Sequence, residues 1–125
     1  MKKNKETSTN SINRNFLTDC NLTYAVQLMG GRWKLPILMR IQKGNKRFGE
    51  LKKVIPNITE RMLALQLREL ERDGIISRTV YPEVTLRVEY ELTGIGNELI
   101  PVCLELHSWG AKHKLIHLGE QSTLQ

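Results

Sequence analysis

Residues 59–74, T-E-R-M-L-A-L-Q-L-R-E-L-E-R-D-G, constrain the fold of this chain more than any other stretch. At about 100° per residue, Leu63, Leu67 and Leu70 fall within an arc of about 60°, the apolar stripe of an amphipathic helix. Arg61, Leu65, Arg68 and Arg72 fall on the opposite side. Thr59 is suited to cap the unpaired amides of the first turn, and Glu60 suits its positive dipole end. Gly74 can take the left-handed conformation that ends a helix. One face is thus committed to a core while the other offers three guanidinium groups. The same pattern describes an ordinary surface helix with solvated arginines, so the flanking sequence has to decide between them.

Upstream, F-G-E-L-K-K-V (residues 48–54) reads as a short helix, and P-N-I-T turns the chain into the longer one, with Ile55 and Ile58 packing the joint. A short helix, a tight turn and a longer helix with an outward basic face is the layout of a helix-turn-helix. Downstream, residues 75–81 and 87–92 read as two strands. In the second, Val88, Tyr90 and Leu92 alternate with Arg87, Glu89 and Glu91, the period of a half-buried strand. Residues 82–86 link the pair as a hairpin. Before the motif, residues 22–29 form a short helix stopped by Gly30 and Gly31. Residues 33–41 resume helical spacing through Leu35, Leu38 and Ile41, with Pro36 tolerated only in the first turn and Trp33 expected as a core anchor. Gly44 ends that helix, and Lys43, Lys46 and Arg47 concentrate positive charge after it. The expected fold is α+β, mainly α: a winged helix-turn-helix with N- and C-terminal dimerisation helices.

Residues 93–116 form the last helical stretch, with Ile95, Leu99, Val102, Leu106 and Trp109 spaced close to a heptad seam. Pro101 inside it is expected to bend the helix or cost one backbone hydrogen bond. The seam has no evident intramolecular partner except the first helix. It reads as a homodimer interface in which Leu22, Val26, Leu99, Val102, Leu106 and Trp109 take part, the other reading being packing on the chain's own core.

Charge enters here. Lys and Arg number 19 against 13 acids, a net charge of +6, and the pI is near 9.6, which favours a polyanionic partner. The 125 residues allow one domain with a modest core. Residues 1–18, rich in Lys, Asn, Ser and Thr, are expected to be a disordered basic arm, 19–118 the winged domain with its dimerisation helices, and 119–125 a flexible tail. No apolar run approaches a membrane span and the N-terminus lacks a signal-peptide core, so the expected location is the cytoplasm, without a membrane partner. Cys20 and Cys103 are too few for a disulfide framework or a zinc cluster and are expected as free thiols.

Four blocks in order, M-G-G-R-W-K-L-P-I-L, R-F-G-E-L-K-K-V-I-P-N-I-T-E-R-M-L, L-R-E-L-E-R-D-G-I-I-S-R-T-V-Y-P-E-V and R-V-E-Y-E-L-T, resemble the bacterial HxlR-type regulators, winged-helix proteins related to the MarR group. The resemblance runs from residue 20 to 110. It implies a homodimeric DNA-binding transcriptional regulator, with residues 48–54 as the positioning helix, 59–73 as the recognition helix and 78–88 as the wing. The chain departs from the family pattern at three places. Asn21 stands where proline usually follows the cysteine, Ala64 and Leu65 occupy recognition-helix positions that are commonly polar, and Thr85 and Leu86 replace a proline-rich wing tip.

On that reading Thr59, Arg61, Leu65, Arg68 and Arg72 face double-stranded DNA. Arg61, near the helix start, suits a guanine edge or a phosphate; Leu65 suits a thymine methyl; Arg68 and Arg72 suit phosphates or pair with neighbouring acids such as Glu69. Lys46, Arg47, Lys52 and Lys53 are phosphate candidates, and Arg87 is the wing candidate for the backbone or minor groove. Cys20 aligns with the family's cysteine just before a helix start, where a thiolate is favoured; it reads either as a sensor of oxidants and electrophiles or as a partly buried structural residue. Cys103 lies on the apolar seam and reads as a small hydrophobe rather than a redox partner. His113 and His117 read as surface residues, and no cofactor, metal or catalytic constellation is expected. The function expected is therefore a sequence-specific regulator acting as a homodimer on a pseudo-palindromic operator. The alternatives are an interaction module that keeps the fold without binding DNA, and a regulator controlled by a small molecule in its dimer interface.

Overall fold

A computed structural model describes residues 20–119, in two compact units that divide between Lys34 and Leu35. The expected arm at 1–18 and the tail beyond residue 119 lie outside the described residues.

The first unit carries helix α1 (Asn21–Met29), with Cys20 at its N-cap in an extended conformation. Met29 is buried, whereas Leu22 and Val26 are 74% and 59% exposed. Trp33 is half-buried and not the core anchor expected. The Arg32 guanidinium lies over its ring, 4.5 Å from the centroid, a cation–π contact.

The second unit is built around the core stripe of the helix-turn-helix. Helix α2 (Lys34–Gln42) holds Pro36 in its first turn, as its missing amide hydrogen requires, and buries Ile37, Leu38 and Ile41. Helix α3 is Phe48–Val54 and helix α4 is Glu60–Arg72. Leu63, Leu67 and Leu70 of α4 are 1% exposed or less, joined by buried Leu51, Ile55 and Ile58. Fully burying a leucine contributes about 1.5–3 kcal/mol, so this stripe fixes which side of α4 faces outward. The Thr59 hydroxyl accepts from the Met62 amide at 3.0 Å, and Gly74 turns out of the helix at φ +75°. Asn57, in the turn between α3 and α4, also has positive φ (+68°), a conformation that asparagine accepts better than other side chains.

Strands β1 (Ile76–Tyr81) and β2 (Arg87–Leu92) pair antiparallel from Ile76↔Leu92 to Tyr81↔Arg87. Ile75, expected inside the strand, instead lies just before it and lends its carbonyl to a junction: the Thr93 amide donates to it at 3.1 Å and the Thr93 hydroxyl lies 2.7 Å from the Gly74 carbonyl and 3.0 Å from that of Ile75. The same hydroxyl caps helix α5 (Gly94–Asn97) by accepting from the Gly96 amide.

The last stretch is two helices, not one. α5 ends at Asn97, and α6 (Leu99–His117) begins after Glu98. Pro101 therefore lies in the first turn of α6, where its missing amide hydrogen costs no helical bond, so the expected bend gives way to a break three residues earlier. Cys103 is buried at 6% exposure, while Val102, Leu106 and Trp109 are 50%, 51% and 62% exposed and Leu99 is half-buried. Leu104, Leu115 and Ile116 are exposed as well, so α6 shows apolar side chains in several directions. Among the described residues no helix is long and apolar enough to cross a membrane.

Candidate nucleic-acid interface

The outward face of α4 follows from its buried one. Arg61, Leu65, Arg68 and Arg72 are all exposed, 180° or so from the leucine stripe. Thr59 lies exposed at the N-terminal end of that face. The 13 residues of α4 span about 20 Å, enough to lie along a major groove. Leu65, 38% exposed, sits between Arg61 and Arg68 as an apolar contact surface. Arg72 is engaged by Asp73, its Nε and Nη2 donating to the two carboxylate oxygens at 3.2 and 3.3 Å. The Asp73 carboxylate raises the Arg72 pKa. The acid that holds Arg72 is thus Asp73, more directly than Glu69.

Around α3 the basic residues are placed by a feature hidden from sequence patterns. The Glu50 carboxylate accepts from the backbone amides of Lys46 and Arg47 at 3.0 and 3.2 Å, closing the loop onto the first turn of α3. The Lys46 carbonyl accepts from the Tyr90 amide at 2.8 Å, and its ammonium pairs with Glu91 at 3.3 Å, both side chains about half exposed. Lys46 thereby ties the loop to β2. Arg47 and Lys53 are exposed and Lys52 is half-buried.

The wing treats its arginines differently. Arg87 donates to Glu89 at 2.6 Å and to Glu83 at 2.9 Å, and its guanidinium lies 3.9 Å from the centroid of Tyr81. The bonds to Glu83 and then Glu89 raise its pKa. The residue expected to reach DNA from the wing is thus held in an internal clasp. Arg78, inside the expected wing, is exposed on β1 opposite Tyr90. At the tip Val84 and Leu86 are strongly exposed.

Cys20 is exposed, which removes the partly buried reading. The Thr23 hydroxyl donates to its sulfur at 3.0 Å. That bond, followed by the amides of Thr23 and Leu22, lowers the thiol pKa against a small opposing effect of burial. Cys103 behaves oppositely, its pKa raised by burial, in keeping with a small core hydrophobe.

With α3, α4 and the hairpin in place, residues 28–117 match the family model described as HxlR-like helix-turn-helix. The chain belongs to this family. The Bacillus subtilis (strain 168) HTH-type transcriptional regulator YdeP is 50% identical over 95 residues, covering 76% of this chain and 74% of YdeP. The redox regulator HypR in its reduced form is similar at a TM-score of 0.72 and 42% identity, covering 77% of this chain and 95% of that one. The reduced transcriptional regulator YodB from B. subtilis is similar at a TM-score of 0.67 and 36% identity, covering 78% and 93%. This HxlR-family protein is a winged helix-turn-helix transcriptional regulator. The resemblance to the HxlR-type regulators and the expected winged helix-turn-helix fold both hold.

Proposed function

We propose that this HxlR-family regulator binds double-stranded DNA as a homodimer and that α4 reads the sequence. The observation that carries the assignment is the fixed outward face of α4, where Arg61 and Leu65 stand opposite a fully buried leucine stripe. Arg61 reads a guanine edge, Leu65 meets a thymine methyl, and Arg68 holds phosphate, with Thr59 at the groove end of the helix. Arg72 holds phosphate only by sharing its guanidinium with Asp73. Arg47, Lys52 and Lys53 hold phosphates beside α3, while Lys46 contributes from its exposed pair with Glu91. On the wing Arg78 takes the phosphate role and Arg87 acts by keeping Glu83 and Glu89 neutralised.

Pairing uses the exposed apolar side of α6, Val102, Leu106 and Trp109 with Leu99, and, separately in the first unit, Leu22 and Val26 of α1. Two copies would set two α4 helices about 34 Å apart and require a pseudo-palindromic site in cytoplasmic DNA. HypR is a redox regulator known in reduced and oxidized forms, and the exposed thiol of Cys20 with its lowered pKa supports the same kind of control here, by an oxidant or electrophile.

Fluorescence anisotropy on the DNA upstream of the protein's own gene, at two salt concentrations and against random DNA, tests the reading. Specific binding that weakens with salt and is lost on diamide treatment, with Cys20→Ser unresponsive, is the expected outcome. Equal affinity for both DNAs would overturn sequence reading. A full diamide response in Cys20→Ser would remove Cys20 from control.

A further inference from the structure

Among the described residues no group of three or more metal-ligating side chains gathers, yet two imidazoles share one face of α6. His113 and His117 stand one helical turn apart, both exposed, their ring centroids 4.7 Å apart and tilted by 33°. The next ring along the face, Trp109, stacks on His113 at 5.2 Å and 18°. The three rings form a column at spacing i, i+4, i+8, of which the proposed DNA binding and pairing use only Trp109.

We propose that His113 and His117 form a two-histidine site for a divalent first-row transition ion of borderline softness, Ni²⁺ or Zn²⁺. Histidines four residues apart on a helix direct nitrogens to a single ion, the arrangement by which a His-x-x-x-His pair contributes to zinc sites. The ion sits roughly 2.0–2.1 Å from one nitrogen of each ring. Both side chains are exposed, so turning the two rings toward it needs no backbone movement. Water fills the remaining positions. Among the described residues the side-chain donors of the site are the two imidazole nitrogens. That set selects against Mg²⁺ and Ca²⁺, which require oxygen ligands.

The test is isothermal titration of tag-free, full-length protein carrying Cys20→Ser, so that the exposed thiol does not compete, with NiCl₂, ZnCl₂ and MgCl₂. One Ni²⁺ or Zn²⁺ per chain is expected, with no heat from Mg²⁺. Ni²⁺ quenches the fluorescence of Trp109, which touches a ligand, whereas Trp109→Phe keeps the binding and loses that quenching. His113→Gln and His117→Gln each weaken binding by more than about tenfold, the size of effect that loss of even an outer partner produces, while His107→Gln leaves it unchanged. Circular dichroism confirms that each variant keeps its helices. Absence of binding, binding that survives both His113→Gln and His117→Gln, or an equal response to Mg²⁺ overturns the proposal.

Discussion

Arg61 and Lys53 are both exposed cations, and the difference between them is one of position. Arg61 sits on the outward face of α4 near its start, whereas Lys53 lies at the end of α3. Arg61→Ala is expected to cost roughly 1–3 kcal/mol on specific DNA and almost nothing on random DNA, flattening sequence preference. Lys53→Ala should weaken both alike and reduce the salt slope by about 0.9. Anisotropy across a salt series checks this; equal losses in both mutants on both DNAs would reverse the assignment. Cys20 carries a second residue-scale expectation. Since the Thr23 hydroxyl stabilises its thiolate, alkylation by iodoacetamide should show a midpoint below that of an ordinary thiol for Cys20 and above it for Cys103. Thr23→Val should move the Cys20 midpoint upward and slow its reaction at neutral pH.

At the scale of elements, the helix-turn-helix was legible because it rests on local signals. The leucine spacing of α4, the cap at Thr59 and the stop at Gly74 each act within one or two turns. Asn57 belongs to that local chemistry: Asn57→Ala should destabilise the protein by about 1–2 kcal/mol in urea unfolding, while Asn57→Gly should change it by only a few tenths. Most of what stayed hidden depends on partners distant in sequence. No periodicity announces that Thr93 ties to Gly74 and Ile75, or that Lys46 meets Tyr90 and Glu91. The Arg87 clasp is local, its partners Glu83, Glu89 and Tyr81 lying within six residues, yet neither it nor the break before Pro101 leaves a mark in the apolar periodicity. Gly96 is the sharpest case, because a β-carbon there would run into the Ile75 carbonyl oxygen. Gly96→Ala should therefore lower the unfolding midpoint, whereas Gly94→Ala, with open space around it, should not. The wing clasp carries its own consequence. Glu83→Gln with Glu89→Gln should release Arg87 toward phosphate and steepen the salt dependence of DNA binding, and an unchanged slope would show that Arg87 does not reach the backbone.

For the whole molecule, the decisive quantity is the exposed apolar surface of α6. Val102, Leu106 and Trp109, each at least half exposed, are what a pairing helix presents when described alone. Leu106→Glu is expected to shift the protein from dimer to monomer in sedimentation velocity, to retain its helical circular dichroism, and to lose most of its affinity for an operator with two half-sites. Retention of the dimer would move the interface elsewhere. The charge pattern was readable as a preference for a polyanion, yet its distribution was not. The hairpin carries three glutamates against two arginines between residues 76 and 92, and α4 balances three arginines with three glutamates, so the excess positive charge lies in residues 32–53, which hold eight basic residues against Glu50 alone.

The greasy circumference of α6 also makes abundance a signal. When reading requires two copies, and the protein is scarce relative to its pairing constant, halving the number of chains leaves about a quarter of the pairs. Promoter occupancy then follows the square of expression, so a regulator acting at its own gene would correct its copy number more steeply than a single-chain reader.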